Sequence, residues 1–347
     1  MSLDAPLARK KLDALWIDNN IPVLPTGRGK KYALFSDLHL GDKGGGDDFK
    51  DNEKAIQRAL KDYHRRGFTL ILLGDIEELW QFDLDKITPH YGHTVYADIA
   101  KFAPDRLFRI FGNHDGEWGF QSDPAQPNKQ RPATAYEALK MSDQNGQSKI
   151  LLVHGHQGCK ESDKSSWFSR FAVRLFRGIE PLARSIGIYG NPSWTKSVID
   201  PNYEKVLYNW AKKKHVLLIC GHSHRAIFAS LSYGDRINTR MTELQMQIRA
   251  SRGNRQEVEK LLKEQQNLQR DWIEERENSR MIDPVVNRGK PKPCYFNAGC
   301  GLFREGITCI EIEEDEIRLA KWHRVPRAAN NVSIYEKDSL TGLLARI

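Results

Sequence analysis

The residues able to do chemistry in this chain fall into five short clusters: Asp37-Leu38-His39, Gly74-Asp75, Gly112-Asn113-His114-Asp115, His154-Gly155-His156 and Gly221-His222-Ser223-His224. Six of the eleven histidines lie inside them. Seven side chains in these clusters carry groups that ligate metals: Asp37, His39, Asp75, Asn113, His154, His222 and His224. Carboxylate, imidazole and amide oxygen together suit hard and borderline divalent ions. Two such ions side by side activate water and clamp a phosphoryl group during in-line displacement. The expected activity is binuclear metal-dependent hydrolysis of a phosphomonoester, phosphodiester or pyrophosphate bond.

Each cluster follows a short apolar run, at residues 32–35, 69–73, 107–111, 150–153 and 216–220. Uninterrupted runs of this length are typical of strands covered on both faces. Within residues 52–66, Ala55, Ile56, Ala59, Leu60 and Tyr63 have helical spacing, which predicts a β-α-β crossover. Open α/β sheets place their sites at the carboxyl ends of such strands. Residues 7–20 also have helical spacing, ending at a Pro/Gly-rich stretch. After residue 290, runs at 295–298, 307–312 and 317–322 predict three more strands, expected to form a second sheet packed on the first. A lone Asp or His in a turn is usually a cap or a satisfied core residue. Seven ligand-type residues at five strand ends are not explained that way.

Asp37 and His39 are two residues apart, so both can face one ion. Asp75 has two carboxylate oxygens and can bridge two ions, setting their spacing at roughly 3.5–4 Å. Asn113 offers a neutral oxygen, which limits negative charge, and the alternation of His222 and His224 lets them serve different ions. His114, next to a ligand, is placed to protonate the leaving oxygen or stabilise phosphoryl charge. Glu78, three residues past Asp75, is placed to orient that imidazole. His156 is expected to be structural and Cys159 a bystander thiol.

The 347 residues are 39% hydrophobic and 28% charged, ordinary values for one elaborated soluble domain spanning 1–347 with a core at about 31–325. Charged residues Asp4, Arg9, Lys10, Lys11 and Asp13 interrupt the start, so no secretory leader is expected there. A cytoplasmic protein, with optional peripheral membrane contact, is the expectation. Five cysteines without CxxC spacing are expected to be reduced thiols. The net charge is +8, and residues 160–214 hold eleven Lys/Arg against five Asp/Glu. Such a patch suits an anionic partner: a phosphorylated substrate, nucleic acid or an acidic membrane.

Two segments look inserted. Residues 160–214 are helical, basic and aromatic, with Arg170, Arg174 and Arg177 on one face and Trp167, Phe171 and Leu175 on another. Such a helix packs on the core with a solvated edge, touches an anionic membrane, or caps the metals. As a cap it would use Trp167, Arg170 and Arg174 as substrate contacts. Residues 236–290 are polar, with a break at Gly253-Asn254 and an apolar seam at Val258, Leu261, Gln265, Leu268 and Trp272. That seam fits a helix lying on its own domain, a projecting hairpin, or a homo-oligomer contact through 255–275.

The order DxH, GD, GNHD, HGH, GHSH resembles the calcineurin-like metallophosphoesterase superfamily, over residues 31 to about 325 without the inserted middle. The resemblance implies a four-layer α/β/β/α sandwich with two mixed β-sheets, here with helical insertions. It implies that Asp37, His39 and His224 hold one ion, that Asn113, His154 and His222 hold the other, and that Asp75 bridges them. It also implies a hydroxide between the ions attacking phosphorus opposite the leaving group. Asn297-Ala298-Gly299-Cys300 stands where relatives carry an Asn-x-Gly-Ser turn. Two divalent cations are the implied cofactors; Mn²⁺ is favoured, and Fe²⁺, Zn²⁺ or Ni²⁺ also suit mixed N/O ligands.

Residues 74–80 and 154–156, and the aromatic insertion behind them, are similar to the bacterial UDP-2,3-diacylglucosamine pyrophosphatase group. The chain departs from that group at His114, where Arg is usual, at His156, where Asp is usual, and in the 236–290 insertion. Three alternatives stand beside the general phosphoesterase: a lipid-precursor pyrophosphatase of that kind, a nuclease, and a non-catalytic metal-binding scaffold. The nuclease rests on the basic patch alone, and scaffolds generally lose ligands that this chain keeps. The expected partner is an anionic phosphorylated small-molecule or lipid-linked substrate, ahead of nucleic acid.

Overall fold

The apolar runs become strands that are covered on both faces because two sheets stack. In the computed structural model, which describes residues 3–116, 135–159, 202–251, 253–278, 291–327 and 330–347, strands are numbered in chain order. One sheet contains β2 (Lys31–Phe35), β3 (Thr69–Leu73), β4 (Leu107–Ile110), β5 (Ala135–Tyr136), β12 (Gly306–Glu313), β13 (Glu316–Arg327) and β14 (Asn330–Ser339). Its spatial order is β14-β13-β12-β2-β3-β4-β5. The other contains β1 (Val23–Pro25), β6 (Ala138–Ser142), β7 (Ser148–Val153), β8 (Leu217–Cys220), β9 (Ala226–Phe228), β10 (Leu231–Ser232) and β11 (Tyr295–Ala298). Its order is β1-β6-β7-β8-β11-β9-β10. Both are mixed: β2 to β5 pair in parallel while β12 runs antiparallel to β2, and β7 and β8 pair in parallel while β6 and β7 do not.

Alternation along each strand sorts side chains into three buried layers. Leu34, Ile71, Leu73 and Ile110 meet Leu139, Met141, Ile150, Leu152, Leu217 and Ile219 between the sheets. The intervening Ala33, Phe35, Leu70 and Leu72 pack against Ala55, Ile56, Ala59, Leu60 and Tyr63 of α2 (Glu53–Arg65). On the far side, Leu151, Val153, Leu218 and Cys220 pack against Leu12 and Leu15 of α1 (Ala5–Ile17) and against Tyr203, Leu207, Trp210 and Ala211. Helix, sheet, sheet, helix is the four-layer sandwich. All five cysteines are buried. Among the described residues no helix is long and apolar enough to cross a membrane.

Three expectations need correction. The C-terminal strands do not form a sheet of their own: β11 lies between β8 and β9, whereas β12 and β13 extend the first sheet beside β2. An apolar run predicts a strand, and long-range ladders choose its neighbour. Nor do the five motif-bearing strands share one sheet, since β2, β3 and β4 belong to one and β7 and β8 to the other. Finally, Asn202–Lys214, taken from sequence as the end of an insertion, is a core helix. Its Tyr203, Val206, Leu207, Trp210 and Ala211 recur at i, i+3, i+4, i+7 and i+8 and are buried. The preceding part of that segment, with Trp167, Arg170 and Arg174, lies outside the described residues.

The polar segment is an antiparallel helical pair, Tyr233–Ala250 and Arg255–Asn278. The first helix starts on a capping box made by Ser232 and Asp235. The apolar seam of the second faces the first, with Leu244 and Leu261 buried. Arg240 Nε donates to Glu264 Oε1 at 2.8 Å and Tyr233 Oη to Asp271 Oδ2 at 3.0 Å, which fixes the register.

Leu207 is buried beneath the second sheet, so Leu207→Ala is expected to cost about 2–5 kcal/mol of unfolding free energy in urea denaturation. Exposed Met246→Ala should stay within about 0.5 kcal/mol of the parent. Equal, small effects would remove the helix Asn202–Lys214 from the core.

Candidate metal centre

Three of the five clusters leave their strands in a backbone conformation most residues avoid. Asp37, His39, Asp75, His222 and His224 have φ of 53°, 51°, 51°, 69° and 60°. Left-handed backbone at non-glycine residues stores strain and is kept only where the surroundings over-determine it. Here the surroundings are hydrogen bonds that continue beyond the ladders: Asp37 N donates to Gly74 O at 3.1 Å, His39 N to Asp75 O at 3.0 Å and Gly221 N to His154 O at 2.8 Å. Asn297, at the end of β11, donates from Nδ2 to Gly221 O at 2.5 Å and to Ser223 Oγ at 3.0 Å, pinning the loop that carries His222 and His224.

Both buried aspartates divide their oxygens. Asp37 Oδ2 accepts the His222 backbone N–H at 2.8 Å, and Asp75 Oδ1 accepts that of His114 at 2.7 Å. The motif glycines make this possible. A Cβ at Gly112 would lie 2.1 Å from Asp75 Oδ1, and one at Gly221 would lie 2.4 Å from Asp37 Oδ2. Any side chain there would push the carboxylate away.

The remaining lone pairs converge. Asp37 Oδ1 is 3.3 Å from His224 Nε2 and 3.8 Å from His39 Nε2, and those two nitrogens are 3.3 Å apart. Asp75 Oδ2 is 3.1 Å from His154 Nε2, which is 3.2 Å from Asn113 Oδ1. Asp75 Oδ2 also lies 4.0 Å from His39 Nε2. Three groups of atoms lie within 4.8 Å of one another: Asp37-His39-His224, Asp75-His154-His222 and His39-Asp75-His114. Ligands about 2.1 Å from one ion stand roughly 3–3.4 Å apart, so these spacings fit a cation.

The tautomers fit as well. His154 Nδ1 is 2.8 Å from the carbonyl oxygen of Leu73, which only accepts, so Nδ1 carries the hydrogen and Nε2 the lone pair. His39 Nδ1 donates to Glu78 Oε2 at 2.7 Å, with the same result. Asp37 Oδ1 and His222 Nε2 are buried without a hydrogen-bond partner. Such a cluster of acceptors lacks a countercharge that a divalent cation supplies.

Electrostatics carry the same signature. Burial opposes charge on His39, yet Asp37 and Glu78 outweigh it and hold its pKa well above the ordinary value. Burial likewise works against His154, but Asp75 and Asp37 raise it to about 9. Asp37 and Asp75 go the other way: burial favours their neutral forms, and His154 foremost overrides it, leaving both pKa values lowered. Burial and then His154 depress His222 and bring His156 to about 3. Burial also lowers His224.

Glu78 does more than orient one imidazole. Its Oε1 accepts from His114 Nδ1 at 2.8 Å while Oε2 holds His39. Burial raises its pKa, but His114 and His39 bring it down to about 2. Trp80 stacks on His114, with centroids 4.1 Å apart, and donates from Nε1 to Asn113 O at 2.8 Å. His156 is a buried neighbour of His154, with ring centroids 5.5 Å apart. All seven expected ligands, His114 and Glu78 thus come together. Sequence reading singled out Asn297 as part of a turn but assigned it no contact, and it gave no role to Trp80 or to a buried trio, Glu77, Arg109 and Asp115. Arg109 had a visible signal, a charge inside the apolar run 107–111.

A family model described as calcineurin-like phosphoesterase matches residues 30–226, more than half the chain and all five clusters. Among solved structures, a conserved uncharacterized protein (predicted phosphoesterase) from Streptococcus pneumoniae TIGR4 is similar at 12% identity and a TM-score of 0.31, covering 88% of this chain and 97% of its own. A mutant cold-active protein tyrosine phosphatase matches at 12% identity and a TM-score of 0.36, covering 97% of this chain and 86% of its own. No curated protein matches. On the family match, this chain belongs to the calcineurin-like phosphoesterases.

Proposed function

We propose that the chain hydrolyses a phosphoric ester or pyrophosphate bond at a two-cation centre, with Mn²⁺ as the favoured metal. The observation that carries this reading is the convergence of lone pairs from Asp37, His39, Asp75, His154 and His224, with two of the imidazole N–H groups committed to Glu78 and Leu73 O. Asp37, His39 and His224 would hold one ion, Asn113, His154 and His222 the other, and Asp75 both. Two bound cations would lower the pKa of a water molecule and neutralise phosphoryl oxygens.

The protein's own groups do the rest. Glu78 fixes the hydrogen of His114 on Nδ1, so Nε2 is the atom left to deliver a proton to the leaving oxygen. The carboxylate stabilises the imidazolium that carries that proton, and the Trp80 ring holds its plane. Glycines that admit the carboxylates against the backbone let the His222 and His114 N–H groups hold Asp37 and Asp75 in place.

Asp75→Asn is expected to abolish Mn²⁺-dependent turnover of bis-p-nitrophenyl phosphate while circular dichroism stays native; retained turnover would refute the reading. His114→Ala should lower kcat by about 100-fold to 10,000-fold for an alkyl phosphate. It should cost far less for a p-nitrophenyl ester, whose leaving group needs no proton; equal losses would remove the proton-donor role. In the metal-free fold His39 and His154 have raised pKa values, so near neutral pH they hold protons that a cation must displace. Mn²⁺ affinity should therefore rise with pH up to about 9. Calorimetry in buffers of different ionisation enthalpy measures the released protons, and zero release would contradict this account.

A further inference from the structure

Arg109 occupies a position where the sheet pattern calls for an apolar side chain. Phe108 and Ile110 face the core between the sheets, so Arg109 shares the opposite face with Leu107, in the layer of α2. It is 2% exposed, and its partners Glu77 and Asp115 are fully buried. Nη1 donates to Glu77 Oε1 at 3.1 Å and Nη2 to Asp115 Oδ2 at 3.1 Å, while Nη2 also contacts Glu77 Oε2. Tyr96 Oη donates to Glu77 Oε1 at 2.9 Å.

Burying three ionised groups is a poor route to stability, because desolvation offsets much of the attraction and an apolar replacement often does as well. What such a trio does provide is direction. Asp115 Oδ1 accepts Gly112 N at 2.6 Å, and Oδ2 accepts Ile76 N at 2.9 Å. Ile76 adjoins Asp75, and Gly112 adjoins Asn113. The β3–β4 ladder ends at Leu73 and Ile110, short of both loops. One carboxylate therefore joins the loop of Asp75 to the loop of Asn113 and His114, and the guanidinium, its fork closed on Glu77, holds Oδ2 of that carboxylate through Nη2.

We infer that Arg109, gripping Glu77 and Asp115, is a positioning residue that sets Asp75 against Asn113 and so fixes the spacing of the two cation positions. The inference rests on the two-cation reading above. It makes no use of contact with substrate: the guanidinium acts through Asp115. Lysine keeps the charge but has no fork, so it cannot grip Glu77 through two nitrogens while also holding Asp115. Partners of this kind that orient ligands typically matter 10-fold to 100-fold in metal affinity.

The test is Mn²⁺ titration by calorimetry, with electron paramagnetic resonance of the loaded protein, on the full chain, Arg109→Lys and the double variant Arg109→Met with Glu77→Gln. The double variant removes opposite charges together, so it keeps a foldable core if the lysine variant does not. Wild type should bind two Mn²⁺ and show an exchange-coupled pair. Either folded variant should lose about 10-fold to 100-fold in affinity for one ion, together with the coupled spectrum. Variants that unfold earlier yet keep both affinities and the coupled spectrum would overturn the positioning role and leave the two-cation reading standing. A wild type that takes up no Mn²⁺ would overturn both.

Discussion

Two carboxylates buried side by side, Asp37 and Asp75, impose the demand that the rest of the centre answers. An ionised carboxylate removed from water is costly unless it is hydrogen-bonded and countercharged. Each aspartate meets half of that demand with a backbone N–H on one oxygen. The other oxygen faces imidazole nitrogens, and there only protons or cations can complete the balance. The raised pKa values of His39 and His154 are the protonic answer, and a pair of divalent ions is the one the ligand set fits better.

That demand explains why the site sits between two sheets rather than on one. Asp37, Asp75 and Asn113 come from loops after β2, β3 and β4, whereas His154, His222 and His224 come from loops after β7 and β8. Acids and amide arrive from one layer, imidazoles chiefly from the other. Gly301, whose N–H donates to Asp37 O at 3.0 Å, ties the segment after β11 to the loop after β2 beside the centre. Because the C-terminal strands divide between the sheets, residues 299–305 cross from one layer to the other at this point.

Behind the candidate ligands lies a set of groups that bond to them, or to the backbone beside them, and orient them. Glu78 orients two rings, Trp80 stacks on one of them, and Asp115 ties two loops. Backbone bonds between the loops, with Asn297 beneath Gly221, hold left-handed residues in conformations that isolated peptides would leave. Rigid support of this kind is what lets ligand spacing be set before any ion arrives.

The residue types and their positions at strand ends were legible in local sequence: short apolar runs read as buried strands, and Asp, Asn and His just past them as polar clusters at their ends. The register of α2 and the seam at Val258 to Trp272 were legible for the same reason, since they express short-range periodicity; the glycines that admit each acid, Gly112 against Asp75 and Gly221 against Asp37, were not, because they meet it only in the fold. Which sheet each strand joins was not, because ladder partners lie up to hundreds of residues apart, as with Ile310 opposite Leu34. Nor was the place of Asn202–Lys214, whose apolar face says that it is covered but not by what. Arg109 shows the limit most sharply. Its charge inside an apolar run marked an exception, yet only the folded chain brings Glu77 and Asp115 to it and links that anomaly of pattern to the loops of Asp75 and Asn113.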